Sequence, residues 1–183
     1  MLGSNFLELK LQRLSIEELD GGSSAKLEIL EGEQVVEVDG KGVGLVDALH
    51  GALLGRYARE YQSLRTVQLA GFQVAADIGT KQAQTGLDAV ARVTLDVSNS
   101  EGRLFSFSDS SRSVTSSTAR VVLAMVQYFA NAERAFVTLH HARRDALARG
   151  REDLVSRYTA EMVAVVESTS YAEVIANIRK ELP

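Results

Sequence analysis

The alternation of apolar and polar residues constrains this chain more than any other feature. Three stretches that change sides every second residue are followed by one that repeats every three to four. The whole order then returns once. A strand can bury one face at a two-residue period, and a helix one stripe at a period near 3.6, so the pattern reads strand, strand, strand, helix, twice over.

In the first round, Leu7, Leu9 and Leu11 share one side of residues 5–12, opposite Phe6, Glu8 and Lys10. "DGGSS" at 20–24 is a turn cluster. "AKLEILEG" alternates through Leu27 and Ile29, and after Gly32 Val36 and Val38 share a face of "EQVVEVDG", which predicts a hairpin. Leu45, Val46, Leu49, Ala52, Leu53 and Tyr57 then recur at helical spacing.

The second round opens on "TVQLAGFQVAADI" at 66–78, a strand bulged at Gly71. A polar loop at 79–86 leads to "LDAVARVTLDV", with Ala89, Ala91, Val93, Leu95 and Val97 on one face. "SNSEG" is a turn, Phe105 and Phe107 share the next face, and "SSRSVTSST" leads into the helix "ARVVLAMVQYFANAERAF". The repeat length, roughly 65 to 70 residues, exceeds that of solenoid repeats and points to a pseudo-symmetric domain. The remainder is helical: "ERAFVTLHHARRDALARG" should end at Gly150. Leu154, Val155, Tyr158, Met162 and Val165 form a stripe, and Val174, Ile175, Ile178 and Leu182 form another.

The expectation is therefore an α+β fold. Two βββα units with antiparallel sheets fill residues 1–131, and a C-terminal helical extension at 132–183 packs on them or on a partner chain. The chain of 183 residues is long enough for a real core. Its net charge of −4, with no basic stripe interleaved with aromatics, argues against nucleic acid as a partner. No apolar run approaches the roughly 20 residues of a membrane span, and no export signal opens the chain, so a cytoplasmic setting is expected. It has no cysteine, which excludes disulfides, thiol nucleophiles and cysteine-bound metals.

"GKGVGLVDALHGALLGRYAREY" at 40–61 raises the question of a phosphate cradle. A Walker loop needs a lysine and a hydroxyl at its end, and a dinucleotide fingerprint needs a parallel βαβ unit, and neither is met here. Gly42 and Gly44 are better read as a sharp strand-to-helix turn with positive φ, and Asp47 as a carboxylate in the first helical turn. Glu31, Glu33, Glu37 and Asp39 read as strand charges facing water, and the serines of 106–117 as a turn and an N-cap. His140 and His141, about 100° apart on a helix, make a poor ligand pair, so no metal and no cofactor is expected.

"GVGLVDALHGAL" resembles the "G-x-G-P-V-D-A-L" segment of the C-terminal regulatory domain of 2-isopropylmalate synthase and its citramalate synthase relatives, with Leu45 in place of proline. "VQLAGFQVAADI" and "TGLDAVARVTLDV" are similar to the two strands that follow in that family. In "SVTSSTARVVLAMVQYFANAE", Thr115, Ser116 and Ala119 stand at the Ala, Ser and Ala of its "I-x-A-S-x-x-A" helix, and Asn131 matches the family's Asn. The resemblance covers residues 5–131. It implies the double βββα arrangement, a branched-chain amino acid bound between two subunits, and inhibition of a catalytic barrel. That barrel needs about 250 residues and finds no room here. The family's second motif, "G-x-S-x-D-I-I-x-A-S", reads "FSDSSRSVTS", with Phe107 at the glycine, Asp109 at the serine, and Ser111 at the acidic position.

The resemblance implies a regulatory domain without its barrel, homodimeric, binding a small metabolite and acting on a separate synthase catalytic subunit. Its pocket residues would be Gly42, Gly44 and Asp47 from the first motif and Asp109, Ser110 and Ser111 from the second, with no catalytic residue. Two other readings stand beside it: an enzyme acting on a small carboxylate with Asp47, His50 or Asp109 as acid or base, and a structural dimerisation or scaffold protein.

Overall fold

Strands that alternate can bury one face only if a second layer covers it. The computed structural model describes residues 2–76 and 90–166 and shows two such layered halves. The loop expected at 79–86, Ala89, and the last helical stripe, Val174 to Leu182, lie outside the described residues.

The first half comprises β1 (Leu9–Leu19), β2 (Gly22–Glu31), β3 (Gln34–Gly42) and α1 (Leu45–Tyr57). The second comprises β4 (Gln68–Ala76), β5 (Ala91–Ser98), β6 (Leu104–Ser111) and α2 (Val114–Ala148), after which α3 runs over Glu152–Val166. The sheets are antiparallel, in the orders β1-β2-β3 and β4-β5-β6. The fold is α+β, as the sequence pattern implies.

Register explains the burial. Leu27 faces Val38 and Leu14 across the sheet, and Ile29 faces Val36 and Leu11. A register shift between Leu11 and Arg13 changes the phase of β1, so that Leu14 and Ile16 join Leu9 and Leu11 on the inner face. This carries β1 to Leu19, beyond the expected end at residue 12. In the second sheet Val93, Leu95 and Val97 are fully buried, and Phe105 and Phe107 lie opposite Val97 and Leu95. The bulge expected at Gly71 is present as a shift between Leu69 and Gly71. Gly21, Gly32 and Gly102, in the turns between strands, have φ of 97°, 62° and 77°, where a side chain would be strained.

One core joins the halves. It runs from Leu27 and Ile29 through Leu49 and Leu53 of α1 to Val122, Met125 and Phe129 of α2. The domain boundary drawn at 131 falls inside α2, which continues unbroken for 35 residues, about 52 Å at ~1.5 Å per residue. Asn131 itself ties α2 to the start of the chain. Its Oδ1 accepts from Leu7 N at 2.7 Å, and its Nδ2 donates to Leu7 O at 2.8 Å and Gln127 O at 2.9 Å. Gly150, with φ of 67°, ends α2 as expected. Met162, Val165 and Val166 of α3 pack on Phe136, and none of the residues of α3 is fully buried.

Candidate functional site

The first motif is built for packing. Gly44 is the N-cap of α1 with φ of −164°, which is extended backbone, and Gly42 is likewise outside the positive-φ glycines. The positive φ expected at these two positions is therefore corrected. What demands glycine at 42 is proximity: a Cβ there would lie 2.5 Å from Ala48 N and 2.6 Å from Asp47 Oδ2. At Gly40 it would lie 2.4 Å from Ala52 N. The two glycines let α1 rest directly against β3. Asp47 accepts from Val43 N at 3.1 Å, tying the first turn to the incoming chain as a capping residue does.

The second motif is built differently. Helix α2 starts with Ser113 as N-cap, its Oγ accepting from Ser116 N at 3.2 Å. Ser111 Oγ lies 2.8 Å from Ser117 Oγ. Asp109 leans from β6 onto α2, where its Oδ2 accepts from Ser117 Oγ at 2.6 Å and from Arg120 Nε and Nη2 at 3.0 and 2.8 Å. Burial pulls the Asp109 pKa up. The hydrogen bonds from Arg120 and Ser117, the guanidinium charge and the Ser110 backbone N–H outweigh that and hold it below the usual carboxylate range.

Asp109 and Arg120 edge a groove of about 440 Å³ between the edge strands β1 and β6. Lys10 and Ser108 stand on its walls with Asp109, and Leu9, Leu11 and Leu123 supply apolar lining. Helix α2 lies under both strands. Leu9 N donates to Gln127 Oε1 at 2.7 Å on one side, and Phe105 packs edge-on against Phe129, 5.2 Å between ring centres, on the other.

Of the six residues expected to line a pocket, Asp109 lines this groove. Ser111 supports it through Ser117, Ser110 is exposed on the outer face with its backbone N–H toward Asp109, and Gly42, Gly44 and Asp47 belong to the β3–α1 junction. Lys10, Ser117 and Arg120 were missed. Arg120 had a visible signal: it is the one charged residue in the apolar run from Ala119 to Val126.

His50 does not line this groove. Its Nε2 is buried without a hydrogen-bond partner, and burial lowers its pKa against the opposing field of Asp47. His140 and His141 lie with ring centres 5.8 Å apart, and no group of three metal-ligating His, Asp or Glu side chains converges among the described residues. No helix among the described residues is long and apolar enough to cross a membrane. No family model matches the chain, and no curated protein matches it.

Proposed function

We propose that this chain is a regulatory, small-ligand-binding domain resembling the allosteric domain of 2-isopropylmalate synthase. In this reading it is cytoplasmic and homodimeric, binds a branched-chain amino acid or a related carboxylate, and passes its ligand state to a synthase catalytic subunit. The observation that carries the reading is the groove between β1 and β6. Arg120, which also holds Asp109, and Lys10, whose Nζ also meets Glu8 Oε1 at 2.8 Å, bring cationic groups to the groove, and Leu9, Leu11 and Leu123 offer carbon to an alkyl group. Asp109, held through Oδ2 by Ser117 and Arg120, supplies the carboxylate that would pair with an ammonium group.

Strand β4 supports the dimer. Leu69, Phe72 and Val74 lie in register with the fully buried Val97, Leu95 and Val93, yet are 40%, 40% and 47% exposed. Helix α2 covers β5 and β6 and leaves this apolar strip open, the kind of surface a second subunit closes.

Titration calorimetry with leucine, isoleucine and valine tests the ligand. Binding with a negative heat-capacity change is expected, together with about tenfold or greater weakening in Arg120→Gln, the loss typical of a charge-assisted hydrogen bond. Absence of heat with all three amino acids and with their keto acids would overturn the reading.

A further inference from the structure

We infer that the ligand of this groove is an amphipathic carboxylate with an extended apolar tail, longer than a branched-chain side chain. The inference rests on the carboxylate reading of the same groove. A second hollow, of about 610 Å³, continues from it along α2, and Ala124 and Gln127 line both. Arg120, Ala124, Gln127, Tyr128, Asn131 and Ala135 follow one another at helical spacing, so a single stripe of α2 floors the whole trough. From Arg120 to Ala135 that floor runs about 22 Å at ~1.5 Å per residue.

The two ends differ in chemistry. Lys10 and Arg120 mark the head end. The continuation is lined by Phe6, Phe107 and Tyr128 and, from α3, by Ala164 and Val165. The polar side chains on its floor are turned to the backbone: Gln127 accepts from Leu9 N, and Asn131 holds Leu7. Among the described residues Glu161 is the one charged residue lining the hollow, with its Oε1 on Arg157 at 2.8 Å, and its carboxylate disfavours the reversed orientation that would seat the ligand's own carboxylate at this end. Small residues at 124, 132 and 135 keep the channel open, where larger ones would fill it. A branched-chain ligand would occupy the head end and leave the aromatic walls without a partner.

The test is a chain-length series of linear carboxylates, from butanoate to dodecanoate below their micellar concentrations, titrated into the full chain. Each methylene should tighten binding about two- to fourfold, the lower figure for a half-covered trough and the upper for full burial. The gain should stop once the trough is full. Ala132→Trp should flatten the long end of the series, and Ala164→Trp, at an exposed position of α3, should do so without risk to the core. Arg120→Gln should weaken every member by a common factor. A flat series, or a slope that both tryptophan variants leave intact, overturns the extended tail. A flat series with leucine still binding leaves the amino-acid reading standing, whereas a steep series without amino-acid binding supports the extended tail and removes that reading.

Discussion

Replacing Gly42 by alanine separates two accounts of the glycine motif. If Gly42 serves ligand approach, the variant should fold normally and lose binding. The structure instead puts Ala48 N at 2.5 Å and the Asp47 carbonyl carbon at 2.7 Å from the new methyl. Ordinary contact begins at about 3.4 Å, so backbone must yield by close to 1 Å. The helix cannot retreat alone, because Ala48, Leu49, Ala52 and Leu53 on the same face are wholly or almost wholly buried. Overpacking of this kind costs about 1–3 kcal/mol. The Asp47 carboxylate would also be pushed from Val43 N, which it meets at 3.1 Å, adding about 1 kcal/mol for a lost cap. The total is about 2–4 kcal/mol.

Urea denaturation measures it. With a slope of about 2 kcal/mol per molar, the midpoint should fall by ~1–2 M with the slope unchanged, and Tm should drop by roughly 10 °C. Gly55→Ala is the internal control. It lies on the exposed side of α1 with open space around its Cβ, so helix propensity alone should stabilise it by about 0.5–1 kcal/mol. Wild-type stability in Gly42→Ala would refute the packing argument.

Asn131→Ala removes three hydrogen bonds and leaves the Leu7 N–H and C=O without their partner, so a loss of about 2–4 kcal/mol in chemical denaturation is expected. His50 has a folded pKa below its unfolded value of about 6.5, so the unfolded chain binds the extra proton first. Its stabilising contribution is complete above about pH 7 and is lost as pH falls through the unfolded and then the folded pKa. His50→Gln should remove that part of the slope in a stability-versus-pH series. The proposed dimer predicts that the wild-type chain has the light-scattering mass of two copies and that Phe72→Glu, a carboxylate on the 40% exposed Phe72 position of β4, lowers it to one.

The fold was legible because strand and helix periods are written directly in the side chains. Val93, Leu95 and Val97 alternate in sequence and are fully buried in the sheet. The extent of β1 was less legible, because its bulge between Leu11 and Arg13 breaks the alternation that marks a strand. Gly42 and Gly44 show a different limit. A glycine needed for a left-handed turn and one needed for close packing look alike in sequence. Only the position of α1 against β3 tells them apart.

The candidate site shows why two similar units need not carry two similar sites. β3 ends at Gly42 and α1 begins at Leu45, while β6 ends at Ser111 and α2 begins at Val114. The junctions therefore superpose in chain order, with Gly40 matching Asp109 and Ala48 matching Ser117. In the first unit the strand carries no side chain at this place and the helix presents Ala48 and Ala52, so the layers touch backbone to backbone. In the second unit a carboxylate takes the place of a hydrogen, and the helix answers with a hydroxyl and a guanidinium at 2.6 and 2.8 Å. Holding that half-buried carboxylate against the helix without them would be costly, so Ser117 and Arg120 answer Asp109. The pair then stands beside β1, whose first residue is held to α2 by Gln127, with Asn131 holding Leu7 just before it. Close packing at one junction and a satisfied polar cluster at the other thus place the Asp109–Arg120 groove on the second unit's side of the domain.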